Sequence, residues 1–413
     1  MPDSSVWDQR KATAGASQLP RVSVVIVNHN YGRFLAEAVA SVREQSYPNI
    51  DCVIVDDAST DDSADVISAI TAHDPTVRSV LLARNSGQTV ASFAGLAVAD
   101  GDFVVFLDAD DLLMPDCIAT HIYVHLSSRR HVGLTCVDMV QSRDGRVVVA
   151  GLEAMAHYLM QSGFRPAMEF RPADATGVWP LGLPGASILQ HVAYVPPGRV
   201  GWCWSPTSGN CYRRDALALL EGIAGVEQLR LSTDVLFCAG ISNLTGSLLI
   251  DRPMAIYRLH GANQGTQAPQ LDHMRAIRPE NEMSRMALKM LADHMVLRAD
   301  EMVRRFWETD SFLRTIAAFD AVDGFDELIA GNREPLSRAV GAEAFDAWVR
   351  RYDKAPVAVP EPVAEALRVD EPAPLPEPLP EPLTEPLTEP IPAWPRRVAR
   401  RAIRRVAHAL RAI

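Results

Sequence analysis

Residues 21 to 151 alternate short apolar runs with amphipathic stretches, and no other feature of the chain constrains its fold as strongly. Short apolar runs bounded by turn residues are typical of buried strands, and the stretches between them have helical spacing. Strands separated by helices of this length predict a parallel sheet with right-handed crossover connections. We place strands at 22–27, 52–55, 80–83 and 103–107, and helices at 34–43, 88–99 and 115–127.

The apolar run 103–107 ends abruptly in three carboxylates, those of Asp108, Asp110 and Asp111. In an open α/β sheet they would emerge at the carboxyl end of a buried strand, where such sheets bind ligands. Crowded carboxylates repel one another unless a cation or hydrogen-bond donors compensate, and Mg²⁺ is typically held by carboxylates together with phosphates. The acids therefore indicate either a metal carrying a phosphate-rich ligand or an acidic loop that caps the next helix.

The net charge and the cysteines narrow the class of protein. A formal charge of −11 argues against a nucleic-acid partner, which would require a basic face. The six cysteines lack C-x-x-C or metal-ligand spacing, which predicts reduced, mostly buried thiols in a cytosolic protein. No apolar run is long enough to span a membrane. Residues 1–20 have no signal-peptide core, and we interpret them as a disordered lead.

The centre of the chain has a less regular pattern. Residues 152–208 are rich in glycine, proline and aromatic side chains, which predicts a loop-rich insertion, either the wall of a substrate cleft or an ordinary surface excursion. Further along we predict helices at 215–221 and 233–243, a strand pair at 247–251 and 254–260, and a mostly helical region at about 271–352.

The C-terminal residues divide into two segments of opposite charge. Residues 355–392 repeat E-P-L units and carry eight acids against one arginine, which predicts a disordered, extended linker. Residues 393–413 hold seven arginines and no acid, with apolar residues at helical spacing. This pattern predicts a basic amphipathic helix that binds an anionic membrane surface or, alternatively, an acidic patch of the protein itself.

Four segments, taken together, resemble the nucleotide-sugar half of a family-2 glycosyltransferase, a family with the GT-A fold. They are VSVVIVNHNYGRFL (22–35), VIVDDASTDDS (53–63), RNSGQ (84–88) and FLDADDLLMPD (106–116). The resemblance covers roughly residues 21–265, except for the insertion. It implies an α/β domain with a Rossmann-like mixed or parallel sheet and flanking helices. Beyond that domain, the sequence pattern predicts a helical region at 266–354, the linker and the amphipathic tail.

The resemblance assigns the nucleotide to the ends of the first, second and fourth strands. Asp57 would accept a hydrogen bond from a uracil or thymine N–H, and Asp108 would meet the ribose or the metal shell. The base would lie against the first strand and its loop, at Val27, Asn28 and His29. On chemistry alone, His29 could equally be a structural loop residue, and the acids at 56–57 could cap a helix.

The same resemblance implies a metal and a catalytic base. Asp110 and His260, the latter in YRLHGANQGTQ (257–267), would bind Mn²⁺ or Mg²⁺ against the diphosphate. Asp234 would deprotonate the acceptor hydroxyl, although Thr233 stands where the family often has an acid. The alternatives are a structural His260 and an Asp234 that caps a helix at 234–243.

A further segment, SPTSGNCYRRDAL (205–217), resembles the family's second block. It implies that the turn before the strand approaches the donor sugar or the acceptor. The residues that would make these contacts are Gly209, Asn210 and Arg213. One of the two arginines, Arg213 or Arg214, is expected to be a structural ion-pair partner.

The predicted function is therefore an inverting transfer of a sugar from a UDP- or dTDP-linked donor to a hydroxyl of a glycan or lipid-linked acceptor, in cell-surface polysaccharide assembly. We expect the protein in the cytoplasm, peripheral at the inner face of the cell membrane through 393–413. The alternatives are a non-catalytic nucleotide-binding scaffold that acts through its Pro-rich tail, and a metal-dependent nucleotidyltransferase. The last lacks a phosphate-cradling glycine loop.

Overall fold

A computed structural model describes residues 19–151, 153–161, 170–173, 179, 184–198, 202–261, 263, 282–305, 309–320, 329 and 331–352. The predicted linker at 355–392, the amphipathic tail at 393–413 and residues 1–18 of the predicted lead lie outside these residues. The described residues up to Trp348 belong to one compact unit, and a second unit begins at Val349.

Within the described residues, the core is a ten-stranded mixed sheet. Its strands are β1 Val22–Asn28, β2 Ile50–Asp56, β3 Val77–Leu81, β4 Phe103–Asp108, β5 Leu112–Leu113, β6 Leu134–Arg143, β7 Arg146–Val149, β8 Val192–Val195, β9 Asn210–Arg213 and β10 Ser247–Leu259. They lie in the order β3-β2-β1-β4-β9-β6-β10-β5, with β7 paired to β6 and β8 paired to β10. The first four strands are parallel, because each is followed by a helix that crosses over a face of the sheet.

The helices that follow the first strands cover the sheet, and those after β10 form the region predicted to be helical. They are α1 Gly32–Arg43, α2 Ser63–His73, α3 Gln88–Val98, α4 Cys117–Ser127, α5 Glu153–Gln161, α6 Arg214–Leu217, α7 Gly240–Thr245, α8 Glu282–Leu297, α9 Ala299–Met302, α10 Thr309–Asp320, α11 Arg333–Val340 and α12 Ala342–Tyr352. A π-helical turn, Val235–Ala239, precedes α7.

The predicted alternation of strands and helices is confirmed, with two corrections. The third strand ends at Leu81 rather than at residue 83, because Val77 to Leu81 match the register of β2. The two strands predicted at 247–251 and 254–260 are one strand, β10, and both of its halves pair with β6. The register shifts around Pro253, because proline has no N–H for the ladder and the strand accommodates it with a bulge instead of a turn.

The cysteines are buried and reduced, as their spacing in the sequence predicts. All six cysteines are buried and none is in a disulfide. Burial raises the pKa of Cys52 and of Cys136 to about 12. Among the helices of the described residues, none is long and apolar enough to cross a bilayer.

Candidate active site

The ends of three neighbouring strands place the predicted site residues along one edge of the sheet. The parallel register puts Asn28 of β1 beside Asp56 of β2, and Val27 beside Asp108 of β4. Strand β9 then pairs antiparallel with β4, which brings the turn before it, Thr207–Gly209, to the same edge. The acids of the first half therefore meet the second half of the chain here.

Asp110 and His260, the predicted metal ligands, are in contact. His260 Nε2 lies 2.9 Å from Asp110 Oδ2, and both side chains are almost buried. The imidazole packs against Tyr31 and Phe34, with ring centroids 5.2 and 4.7 Å away. Adjacent ligands of an octahedral cation with bonds of about 2.1 Å are ~3 Å apart, so the two atoms have a separation at which they can share one such ion.

No group of three or more His, Cys, Asp or Glu side chains in the described part of the chain is arranged to hold a metal ion. Two protein ligands are nevertheless the number that suits Mg²⁺ when phosphate oxygens and water complete its shell. Asn263 does not add a third, because its Oδ1 accepts from the His260 N–H (2.9 Å) and its Nδ2 donates to the Arg258 carbonyl (2.7 Å). Its amide nitrogen, not its oxygen, therefore faces Asp110 and His260, and the side chain positions His260.

Arg258 clamps the acidic turn from the side of β10. Its guanidinium donates to the carbonyl oxygens of Ala109 (3.3 Å) and of Asp110, and it forms an ion pair with Glu37 of α1. It also lies 4.6 Å from the centre of the Phe34 ring. Burial lowers the pKa of Arg258. The contact fixes the backbone that presents Asp110. Arg258 itself lies in β10, two residues before His260, which follows the end of that strand.

Asp111, whose role the sequence left open, belongs to the framework of the site. Its Oδ1 accepts from the Arg258 backbone N–H (3.2 Å) and its Oδ2 from the Ser208 hydroxyl (2.7 Å). The Ser208 oxygen in turn accepts from the Asp108 N–H (3.1 Å). Burial, followed by the charges of Asp110 and Asp108, raises the pKa of Asp111 well above its ordinary value. Both oxygens of Asp111 therefore hold the turn together, which gives this carboxylate a structural role in the site.

Asp108 lies between the acidic turn and helix α3. Gln88 Nε2 donates to its Oδ1 (2.7 Å). Burial, followed by the charge of Asp110, raises the pKa of Asp108 to about 7, and the charge of Asp234 acts in the same direction. Asp108 therefore lies within electrostatic reach of both Asp110 and Asp234.

Asp234 begins the π-helical turn. Its Oδ1 accepts from the Val235 N–H (2.9 Å), so the capping role weighed from the sequence is present. A carboxylate that caps through one oxygen still has the other for proton transfer. Burial raises the pKa of Asp234 to about 6. The preceding Thr233 is fully buried, and its hydroxyl is hydrogen-bonded to that of Thr89 (2.8 Å).

The nucleotide side of the site centres on Asp57 and His29. Asp57 accepts from the backbone N–H groups of Ser86 (2.6 Å) and Gly87 (2.7 Å), so it holds a loop rather than capping helix α2. His29 Nδ1 lies 2.9 Å from the Asp57 carbonyl oxygen, and Asn85 Nδ2 lies 2.8 Å from Nε2. Because a carbonyl can only accept, Nδ1 carries the proton and Nε2 accepts from the amide. The ring is thus held as a neutral, partly exposed plane.

Comparison with known proteins gives the family. The sequence profile described as "Glycosyl transferase family 2" matches residues 23–150. A protein described as an uncharacterized glycosyltransferase of Nostoc sp. is 30% identical over 256 residues, which are 60% of this chain and 67% of that protein. The chain belongs to glycosyltransferase family 2. This confirms the resemblance inferred from the sequence, and the protein is a glycosyltransferase.

Other relatives of this family-2 enzyme match shorter stretches. The succinoglycan biosynthesis protein ExoO of Rhizobium meliloti is 32% identical over 129 residues, 31% of this chain and 36% of that protein. In fold, TarS 1–349 of S. aureus aligns with 79% of this chain and 83% of its own, at a TM-score of 0.44 and 18% identity.

The structure corrects the expected placement of residues in three parts of the predicted family-2 site. Arg213 lies opposite Phe103, at the start of β4 and far from Asp108 at its end, and it pairs with Asp215. Arg214 is also structural, because it donates to the carbonyl oxygens of Gly101 and Ala99.

Asn210, the second correction, is fully buried, and its amide donates to the Ser205 and Pro206 carbonyl oxygens, so it shapes the turn. Gly209 is buried beside Ser205, where a Cβ atom would come within 2.5 Å of the Ser205 side chain, so the glycine serves close packing. The turn reaches the acids through Ser208 instead.

The third correction concerns the end of β1. Asn28 is fully buried, and its amide donates to Asp56 Oδ1 (2.7 Å) and to the Ser63 hydroxyl (2.9 Å). It supports the predicted nucleotide site from within the core. Val27 is almost buried, and its carbonyl accepts from the Ala109 N–H (3.1 Å), which ties β1 to the acidic turn.

Proposed function

We propose that this glycosyltransferase moves a sugar from a nucleoside-diphosphate donor to a hydroxyl of a glycan or lipid-linked acceptor, with inversion at the anomeric carbon. The observation that carries the proposal is the contact between Asp110 and His260, with Asp108 and Asp234 within electrostatic reach at one edge of the sheet. This arrangement offers a diphosphate-binding cation site next to a carboxylate that can take a proton.

Asp110 and His260 are the residues that would hold Mn²⁺ or Mg²⁺. When bound, such a cation offsets the negative charge that develops on the departing diphosphate, as a Lewis acid does. Arg258, Asn263 and Asp111 keep the two ligands in place, and Gln88 orients Asp108 toward the ribose or the metal shell.

Asp234 is the proposed general base. It removes the proton from the acceptor hydroxyl, whose oxygen then attacks the anomeric carbon in line with the leaving diphosphate. A pKa of about 6 suits this role, because the carboxyl is ionised at neutral pH and is a stronger base than an ordinary aspartate. The attack comes from the face opposite the diphosphate, so the configuration inverts.

We place the base of the donor between His29 and Asp57. The neutral imidazole presents a flat face for stacking, and its orientation is fixed on both ring nitrogens. Each Asp57 oxygen accepts one backbone N–H and can accept a second bond, which would suit the imide N–H of uracil or thymine. A UDP- or dTDP-sugar is therefore the favoured donor.

Cell-surface polysaccharide assembly at the inner face of the membrane is the proposed setting. It is supported by the similarity to ExoO, which is described as a succinoglycan biosynthesis protein. It is also supported by the basic amphipathic pattern of 393–413, which lies outside the described residues. Deleting 393–413 and measuring binding to vesicles of anionic and neutral lipids tests the membrane role. Equal binding of both proteins to anionic vesicles would contradict it.

The activity is tested with radiolabelled UDP- and dTDP-sugars and Mn²⁺. Asp110→Asn and Asp234→Asn should each reduce sugar transfer by at least about 100-fold. Asp215→Asn is the matched control, because this exposed carboxylate lies by Arg213 at the far end of β4. Near-normal transfer by Asp234→Asn would refute the base assignment. Binding without any turnover would support the scaffold, and transfer of the nucleotide itself would support a nucleotidyltransferase.

A further inference from the structure

The backbone that carries Asp234 has an unusual conformation. Ser232 has φ of 64°, a left-handed value that is costly for a residue other than glycine. The residues after Asp234 form a π-helical turn instead of an α-helix. Such features occur often at functional sites, and they persist only where surrounding contacts hold them. The direction of the Asp234 side chain therefore depends on what holds residues 230–234 from outside.

The contacts that hold this segment come from the start of helix α3. The Thr89 and Thr233 hydroxyls lie 2.8 Å apart, and both residues are completely buried. One residue earlier in α3, the Gln88 N–H donates to the Arg230 carbonyl (2.9 Å). Gly87 packs so closely on Arg230 that a Cβ atom would lie 2.7 Å from its Cα. Three successive residues of α3 and its cap thus contact the segment that ends in Asp234.

The same three-residue stretch is attached to the donor side of the site. Asp57 holds the backbone N–H of Gly87, and the Gln88 side chain donates to Asp108. The start of α3 therefore lies between the carboxylates proposed for the donor and the carboxylate proposed for the acceptor. Of its contacts, the bond between Thr89 and Thr233 is the one nearest to Asp234 along the chain.

We propose that Thr89 and Thr233 are positioning residues that aim Asp234 at the acceptor hydroxyl. This inference rests on the proposed role of Asp234 as the base. A hydroxyl pair fixes direction as well as distance, whereas apolar packing in the same space fixes only distance. A general base that no longer points at the acceptor hydroxyl lowers kcat, because misplacement by about 1 Å can cost ~100-fold in rate. The binding of donor, which does not involve these two side chains, should not change.

The test compares Thr89→Val, Thr233→Val and the double variant. Each single variant leaves one buried hydroxyl without its partner, which destabilises the fold, while the double variant removes both and should recover most of that stability. We expect kcat to fall about tenfold in the singles and to stay about tenfold low in the double variant, with donor Kd within twofold of the wild type. Thr89→Ser keeps the hydroxyl and should stay within about threefold of the wild-type kcat.

Thr71→Val is the matched control, because the Thr71 hydroxyl bonds to the Ile67 carbonyl within helix α2. If the threonine pair only stabilised the fold, kcat would recover with stability in the double variant, and the positioning role would be wrong. Asp234→Asn is measured alongside. If the threonine variants keep the wild-type kcat while Asp234→Asn is inactive, this inference alone is overturned. If Asp234→Asn is active, the assignment of the base is overturned.

Discussion

Replacing Asp234 with asparagine should make the protein more stable at alkaline pH while removing its activity. Asparagine is close to aspartate in shape, and its Oδ1 can keep the bond from the Val235 N–H, so the cap is retained. What the change removes is a negative charge held in a poorly solvated place. The charge is useful for catalysis and unfavourable for folding, and the substitution separates the two effects.

The magnitude follows from the pKa. Burial raises the pKa of Asp234 from 3.8 to about 6, so the folded protein binds this proton more tightly than the unfolded chain does. The stabilisation that protonation provides is fully present below pH 3.8 and is lost as the pH rises through about 6. One pKa unit corresponds to about 1.4 kcal/mol, which sets a limit of ~3 kcal/mol. Because the side chain is partly exposed, we expect Asp234→Asn to gain ~2 kcal/mol at pH 8.

Urea unfolding at pH 4, 6 and 8 in the presence of EDTA measures this effect. The difference in free energy of unfolding between Asp234→Asn and the wild type should grow by ~2 kcal/mol from pH 4 to pH 8. Asp215→Asn, which alters an exposed carboxylate, should show a change below ~0.5 kcal/mol over the same range. A difference that is the same at all three pH values would refute the reasoning, because it would mean that folding does not penalise the ionised form of Asp234.

Three further predictions concern the site. In the wild type, kcat should fall as the pH drops below about 6, since the base must be ionised, and a profile that is flat from pH 5 to 8 would contradict the role of Asp234. Arg258→Lys keeps the charge but loses the planar fork, so calorimetry should show Mn²⁺ binding weakened about tenfold, and an unchanged Kd would exclude a clamping role. Asp57→Asn should raise the KM for a UDP-sugar about tenfold with kcat within threefold; a pure loss of kcat would remove Asp57 from base recognition.

The sheet was predictable because the apolar sequence of its strands indicates that they are buried. Continuous apolar runs such as 103–107 are typical of strands buried on both faces, and the acids that follow such a strand then emerge at the edge of the sheet. The prediction failed at Pro253, because two strands were predicted on either side of it and the structure has one continuous strand. A proline interrupts the ladder in the same way at a turn and at a bulge, and only the pairing partner separates the two cases.

The placement of a site residue was predictable where the resemblance matched it to a motif, and less so where the role depends on a distant partner. Asp110 and His260 were assigned to a metal by the resemblance, and the structure brings the two side chains into contact. Among the arginines, the sequence favoured Arg213, yet Arg258 reaches the acids. The chemistry of the two is identical, and the difference is made by the antiparallel register of β9, which carries Arg213 to the opposite end of β4.

The burial of every cysteine gives this protein a reporter of its own unfolding. Thiolates are the species that react with disulfide reagents, and thiols that are buried with a raised pKa form almost none of them. Labelling of the native thiols should therefore proceed only as fast as the fold opens, and it can follow the stability of each variant in dilute solution. A single cysteine placed at the exposed Leu297 would be labelled selectively, with all six native cysteines left in the chain.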